Sequence, residues 1–233
     1  MLKRILLLLL VVQLSSCDVL QSILGEGLGS PLTNAEIVAG LKQALELGAT
    51  EGAQALSRRD GYFKSSYKIL LPPEARAVTE RLQNVPGFSA VEDIILEKIN
   101  RGAEDAAKKA APIFRDAIMS MSVNDALGIL TGDKDAATQY LNRTTNAQLY
   151  REFSPVIIQS LDKFEARKYW SDAVTAYNQI PFVQKANPSL DDYVTRQALD
   201  GLFKMVAVKE LDIRTNISAR NTDLLRKVFA RQD

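Results

Sequence analysis

Thr131-Gly132-Asp133-Lys134-Asp135 is the stretch whose residue types come nearest to working chemistry, with two carboxylates at a turn beside a glycine. As a calcium loop beginning at Asp133 it fails. Its sixth position would be Thr138 and its twelfth Thr144, where such a loop needs Gly and a bidentate Glu. The same residues make sense as a helix junction. Gly132 would end one helix in the left-handed conformation, and Asp133 would cap the next at the positive end of its dipole. Arg143-Thr144 follows one helix later, where a turn would bring it near Asp133, Asp135 or the acidic pair Asp191 and Asp192. A guanidinium, a hydroxyl and carboxylates gathered this way can bind a small polar ligand. They can equally form an internal salt-bridge lattice that orients helices. The chain has no histidine, which excludes Ser-His-Asp and Cys-His nucleophiles and histidine metal sites. Acid–base work would fall to Asp, Glu, Lys or Tyr, which titrate near neutrality only under unusual burial. The expectation is a non-enzymatic protein without metal or cofactor.

The only cysteine is Cys17. It follows basic Lys3-Arg4, the apolar run Ile5 to Val12, and Leu14-Ser15-Ser16, the layout of a secretory signal. The apolar run is too short to span a bilayer, which takes roughly 20 apolar residues. Leu14-Ser15-Ser16-Cys17 resembles the lipobox of bacterial lipoproteins, in which the cysteine is acylated and becomes the first mature residue. The resemblance implies a leader over residues 1–16, a lipid anchor at Cys17 with a tether over 17–32, and a domain over 33–233. It also implies a protein held on the bacterial cell membrane, facing the periplasm. Asp18 resembles the signal that retains enteric lipoproteins in the inner membrane; it leans that way and leaves inner against outer membrane undecided.

As a Gly/Ser-rich coil, residues 18–32 would span about 20 Å on average, which keeps the body near the bilayer. Leu20, Ile23, Leu24 and Leu28 also suit a short amphipathic helix lying in the lipid interface or against the body, and both readings stand. With Cys17 in the anchor, no disulfide can form inside the body, so packing must hold it together.

Composition is that of a globular chain, 46% hydrophobic and 24% charged, far from a disordered profile. Losing Lys3 and Arg4 with the leader turns the net charge of +1 into −1. Such a balance argues against nucleic acid as a partner, because binding it requires a clustered cationic face.

The elements that would position these residues are helical almost throughout. Thr33 to Glu36 has the form of a capping box, followed by Ile37, Leu41 and Leu45 on one face, continued by Ala49, Ala53 and Leu56. Residues 60–72 break the period and read as loop or extended chain. Pro73 is placed to start a helix to about Asn84. Ser89 to Glu92 repeats the capping signature. Behind it Val91, Ile95, Ile99, Ala103, Ala106, Ala110, Phe114, Ile118 and Met121 form the longest periodic face. Its alanine-rich middle invites close approach by another helix, and Pro112 should kink or divide it.

A short helix over Ser122 to Leu130 is followed by one from Asp133 to Asn142. Another should open at Thr145, with Leu149, Phe153, Ile157, Leu161 and Phe164 on one face and a restart at Ser154-Pro155. Trp170, Val174, Tyr177 and Ile180 mark a helix ending at Pro181. Ser189 to Asp192 should cap a long helix through Leu202, Phe203, Val206 and Ile213, and Thr222 to Ala230 closes the chain. The fold class expected is all-α, one compact domain of about nine helices.

Four segments carry a wider resemblance: Leu32 to Leu45, Gly128 to Tyr140, Asp191 to Thr195 with Ala198 to Phe203, and Arg220 to Phe229. Together they resemble DUF4197, a bacterial family of uncharacterised helical proteins, over nearly the whole mature chain. The resemblance implies an exported, mostly helical protein and brings no established activity. The function expected is that of a lipid-anchored scaffold, adaptor or assembly factor of the cell envelope, with an envelope protein as partner. The alternatives are a carrier of lipid or another apolar ligand, which would need a dry cavity, and a carboxylate-based hydrolase or transferase.

Overall fold

The computed structural model describes residues 32–73, 75, 91–163, 165–179, 181–187 and 189–230. The leader, Cys17, nearly all of the tether, the Ser89 capping signature, Phe164 and Ile180 lie outside the described residues, as does the expected Pro73–Asn84 helix apart from Pro73 and Ala75. The chain divides into two units at residue 34, and the helical body is the second of them, Ala35–Asp233. Among the described residues the fold is all-α, with eight α-helices, one 3-10 turn and no strand.

The helices are α1 (Asn34–Ser57), α2 (Val91–Ala107), α3 (Ala110–Met119), α4 (Val123–Thr131), α5 (Ala136–Asp162), α6 (Ala166–Asn178), α7 (Leu190–Thr215) and α8 (Asp223–Phe229). At the centre is α5, packed along α2 and α7 and touched by α3, α4 and α6. Its Leu141, Leu149, Phe153, Ile157 and Leu161 are fully buried. Each such side chain contributes roughly 1.5–3 kcal/mol of burial.

α5 also departs from expectation. It is one helix of 27 residues where the sequence suggested breaks at Thr145 and at Pro155. Thr144 and Thr145 do not cap a new helix, because their hydroxyls bond back to the Tyr140 and Leu141 carbonyls (2.9 and 2.6 Å). Pro155 and Arg151, whose carbonyl it cannot bond, both lie on the exposed side of the helix, where the loss is least costly.

The long periodic face does divide, and the division falls ahead of Pro112. α2 stops at Ala107, residues 108 and 109 turn, and α3 starts at Ala110. A proline excludes the carbonyl four residues before it, here Lys108, and is harmless in a first turn. The alanine-rich stretch permits the close approach it suggested. A Cβ added to Gly102 on α2 would sit 3.1 Å from the Ser160 Cβ on α5.

α1 buries Ile37, Leu41, Leu45, Ala49, Ala53 and Leu56, the whole predicted face. Gly48 and Gly52 let it lie against Lys209, Ile213, Met205 and Val206 of α7, and Gly40 takes Val228 and Leu224 of α8. Lys227 pairs with Glu36 at 2.7 Å, and the Thr222 hydroxyl donates to Gln43 at 3.0 Å. The last helix thus closes on the first.

Residues 58–72 are irregular, as expected, yet tightly held. Glu104 Oε1 accepts from the Tyr62 and Phe63 amides (3.2 and 3.1 Å), and its other oxygen pairs with Arg101 at 2.8 Å. Asn100 both accepts from the Ile69 amide and donates to the Ile69 carbonyl (2.8 and 2.9 Å). The Tyr62 hydroxyl donates to the Ala198 carbonyl at 2.7 Å, and burial pushes its pKa well up. Among the described residues no buried side-chain nitrogen or oxygen lacks a hydrogen-bond partner.

Candidate functional site

The junction that drew notice in the sequence joins α4 to α5. α4 begins with a complete capping box: the Asp125 amide donates to the Ser122 hydroxyl (3.2 Å) and the Ser122 amide to the Asp125 carboxylate (3.0 Å). The Ser122 hydroxyl also donates to Asp125 at 2.6 Å. These bonds, with Arg143 nearby, hold the Asp125 carboxyl below its ordinary range.

Gly132 ends α4, but not in the left-handed conformation. Its φ of −83° and ψ of −169° are extended, and what demands glycine is space. A Cβ there would sit 2.6 Å from the Gly128 carbonyl oxygen and 2.9 Å from the Ala136 Cβ.

Nor does Asp133 cap α5. Asp135 occupies the N-cap position without a capping side-chain bond, and its carboxylate accepts from Gln139 at 2.9 Å instead. The capping carboxylate comes from α7. Glu210 accepts from the Ala137 and Thr138 amides (3.0 and 2.8 Å) and from the Thr138 hydroxyl (2.8 Å). Its partner Arg214, one turn on, pairs with it at 2.8 Å and donates to the Ile129 carbonyl of α4 at 2.8 Å. One buried ion pair therefore serves the last turn of α4 and the first turn of α5 together. The charges match the helix ends they meet, cation to carbonyl and carboxylate to amide.

Glu210 and Arg214 escaped the sequence reading. A signal existed: Glu210 falls at the register of Phe203, Val206 and Ile213, an acid where the buried face required an apolar residue. Arg220 is also buried, donating to the Ile213 and Arg214 carbonyls at the end of α7 (3.0 and 2.9 Å). Helix-end satisfaction is thus delegated to distant charged side chains.

Above this clamp lies an open groove of about 350 Å³, lined in part by Asn124, Asp125, Gly128, Asp133, Tyr140 and Arg143. Asp133 and Arg143 therefore do share a surface. Asp135 and Thr144 are not part of its lining; Thr144 is turned into its own helix. Among the described residues no group of acids is arranged to hold a metal ion.

Gly128 is unusual there, since a Cβ on it would meet nothing within 4 Å. The two glycines should respond oppositely to alanine. Gly128→Ala should raise stability by about 0.5–1 kcal/mol, the ordinary penalty of an interior helical glycine relieved. Gly132→Ala should lower it by about 1–3 kcal/mol, because backbone cannot rotate out of the way. Urea midpoints of the two variants read the contrast, and equal shifts would contradict the packing described.

Asp191 and Asp192 are elsewhere, at the start of α7. Asp192 accepts from the Tyr150 hydroxyl at 2.6 Å and pairs with Arg196 at 3.0 Å, which together lower its pKa, Arg196 first. Tyr150 is seven residues, or about 10 Å of helix, beyond Arg143 on α5. Asp191 lies 3.5 Å from Arg167, which also pairs with Asp162 at 2.9 Å. This second group ties the end of α5 and the starts of α6 and α7 into a lattice. The Ser189 hydroxyl makes no capping bond to α7. Of the aromatic residues, Phe153 and Trp170 are core, and Tyr177 is half-buried.

An all-helical body, wrapped round one central helix and braced by a buried ion pair where two helix ends meet, is the class that this fold and site define. The chain belongs to the family described as "Protein of unknown function (DUF4197)", whose profile covers residues 31–230. Neither a curated protein nor a solved structure matches the chain.

Proposed function

We propose that this protein is a lipid-anchored component of the bacterial envelope, facing the periplasm, that works by binding as a scaffold, adaptor or assembly factor. One observation carries the reading. The chain's only cysteine stands at the lipobox position, behind a basic and apolar leader, and the family domain follows from residue 31. Among the described residues no helix is long and apolar enough to cross a membrane.

The packing between α1 and α7 leaves no room there for a carried ligand. The apolar cavity between α1 and α7, beside Leu41, Leu45, Val206 and Phe229, amounts to about 20 Å³. That is space for about one water, where even benzene takes a cavity of about 150 Å³. Asp60, Asp125 and Asp192 are all held below the ordinary range, the reverse of a general acid poised near neutrality. The open groove around Arg143 and Asp133 is the polar surface best shaped to receive part of a partner.

Cys17→Ser should move the protein from the membrane to the soluble fraction. Fractionation of cells, with the mass of the mature N-terminus, reads this. A serine variant that still sediments with membranes, or a mature product that retains residues 1–16, would defeat the reading.

A further inference from the structure

The groove beside α4 and α5 holds two opposite charges that the fold leaves unmatched. Asp133 and Arg143 both line it, and both are exposed. Among the described residues, neither side chain makes a hydrogen bond or an ion pair, with the other or with any third group. The remaining charge in the groove is already committed. Asp125 accepts from the Ser122 amide and hydroxyl, and feels Arg143 only at longer range. A free carboxylate and a free guanidinium thus stand apart in one concavity of about 350 Å³. That is the complement of a ligand with an ammonium at one end and a carboxylate at the other.

The span and the surface between the charges say what joins those two ends. From Ala136 to Arg143 α5 rises about 10 Å, the length of about three residues of extended chain. Asn124 and Gln139 border the groove with side-chain amides. That of Asn124 has no partner among the described residues, and Gln139 donates to Asp135 while its carbonyl stays open. Each can offer a peptide group both a donor and an acceptor. One turn on from Asn124, α4 is bare at Gly128, where an added Cβ would meet nothing within 4 Å. An interior helical glycine costs stability, and no neighbour in the fold demands this one. Its missing side chain leaves room for another backbone to lie against α4.

We infer that this groove binds a short free peptide of about three residues, with its ammonium at Asp133, its carboxylate at Arg143 and its backbone over Gly128. The inference rests on the reading of the groove as the receiving surface, and not on the anchor at Cys17.

Trialanine is the probe, because the groups recognised are the termini and the backbone. The protein is expressed from its complete sequence, purified in detergent if it stays with membranes, and titrated by calorimetry. Trialanine should bind saturably. Acetylating its amine or amidating its carboxylate should each weaken binding by about tenfold or more, the worth of one charge-assisted contact. Asp133→Asn should bind the free and acetylated peptides alike, and Arg143→Gln the free and amidated ones alike. Gly128→Leu should block trialanine while the unfolding midpoint holds or rises, a result that damage to the fold cannot produce. No saturable binding at millimolar trialanine would overturn the inference. So would binding that responds to Gly128→Leu but not to capping of the peptide, although the groove would then stand as a receiving surface. Binding that ignores all three variants would remove the groove itself. The Cys17 anchor is read separately, by cell fractionation.

Discussion

Replacing Glu210 with alanine is expected to destabilise the protein by about 3–5 kcal/mol, the usual cost of stripping one partner from a buried ion pair. Three effects add. The Ala137 and Thr138 amides lose their only described capping acceptor, the Thr138 hydroxyl loses its partner, and Arg214 remains as a buried cation without its carboxylate. Arg214→Ala alone should cost less than Glu210→Ala, because Glu210 would keep its backbone amides. The double variant should be less destabilised than the sum of the singles, and the shortfall measures the coupling of the pair. Thermal or urea unfolding of the four proteins decides this. A Glu210→Ala protein as stable as its parent would mean that α5 is capped by another group.

Asn100→Leu should have the next largest effect, about 2–4 kcal/mol, and a distinctive local signature. Leucine fills similar space but strands the Ile69 amide and carbonyl, both inside the protein, and each such orphan costs about 1–3 kcal/mol. Because only isolated turn bonds of its own support the 58–72 segment, losing Asn100 should loosen its Ile69 end before the body unfolds. Lys64 and Lys68 are exposed on that segment. Brief trypsin treatment should cut there in the variant and spare the parent, and amide exchange at Ile69 should rise. Loss of global stability without enhanced cutting would show that Asn100 supports α2 rather than the segment.

What could be read from the residues was the period of buried faces. The α1 face from Ile37 to Leu56, the face from Ile95 to Met121 and the short helices after Ser122 and Thr222 each follow from local spacing, and each is there in the structure, whereas the expected caps at Thr145 and Ser189 are not. The α5 boundaries were not readable, because threonines suit caps and helix interiors alike. Their choice is made by whether the face beyond them, here Leu149 to Leu161, has something to pack against. The junction at residues 131–135 misled for a related reason. Two aspartates at a helix start look like caps, but a glutamate 72 residues away from Thr138 provides the acceptor, and local sequence holds no record of it. The glycine there was demanded by a neighbouring carbonyl rather than by its own dihedral angles. Asp133 and Arg143 line the same groove, whereas Asp191 and Asp192 belong to a lattice of their own around Tyr150, Arg167 and Arg196.

The seam between α8 and α1 has a consequence for biosynthesis. Its contacts join residues 36 to 43 with 222 to 228, the longest sequence separations in the body. Until residues 222–228 have been made, α1 has no lid over Gly40, and the Glu210–Arg214 brace must also wait for most of the body. Topology of this kind makes folding late and concerted rather than stepwise during synthesis. In a chain of this topology the first helix gains its full cover only when the last one docks, so amide protection in α1 around Gly40 should report on α8.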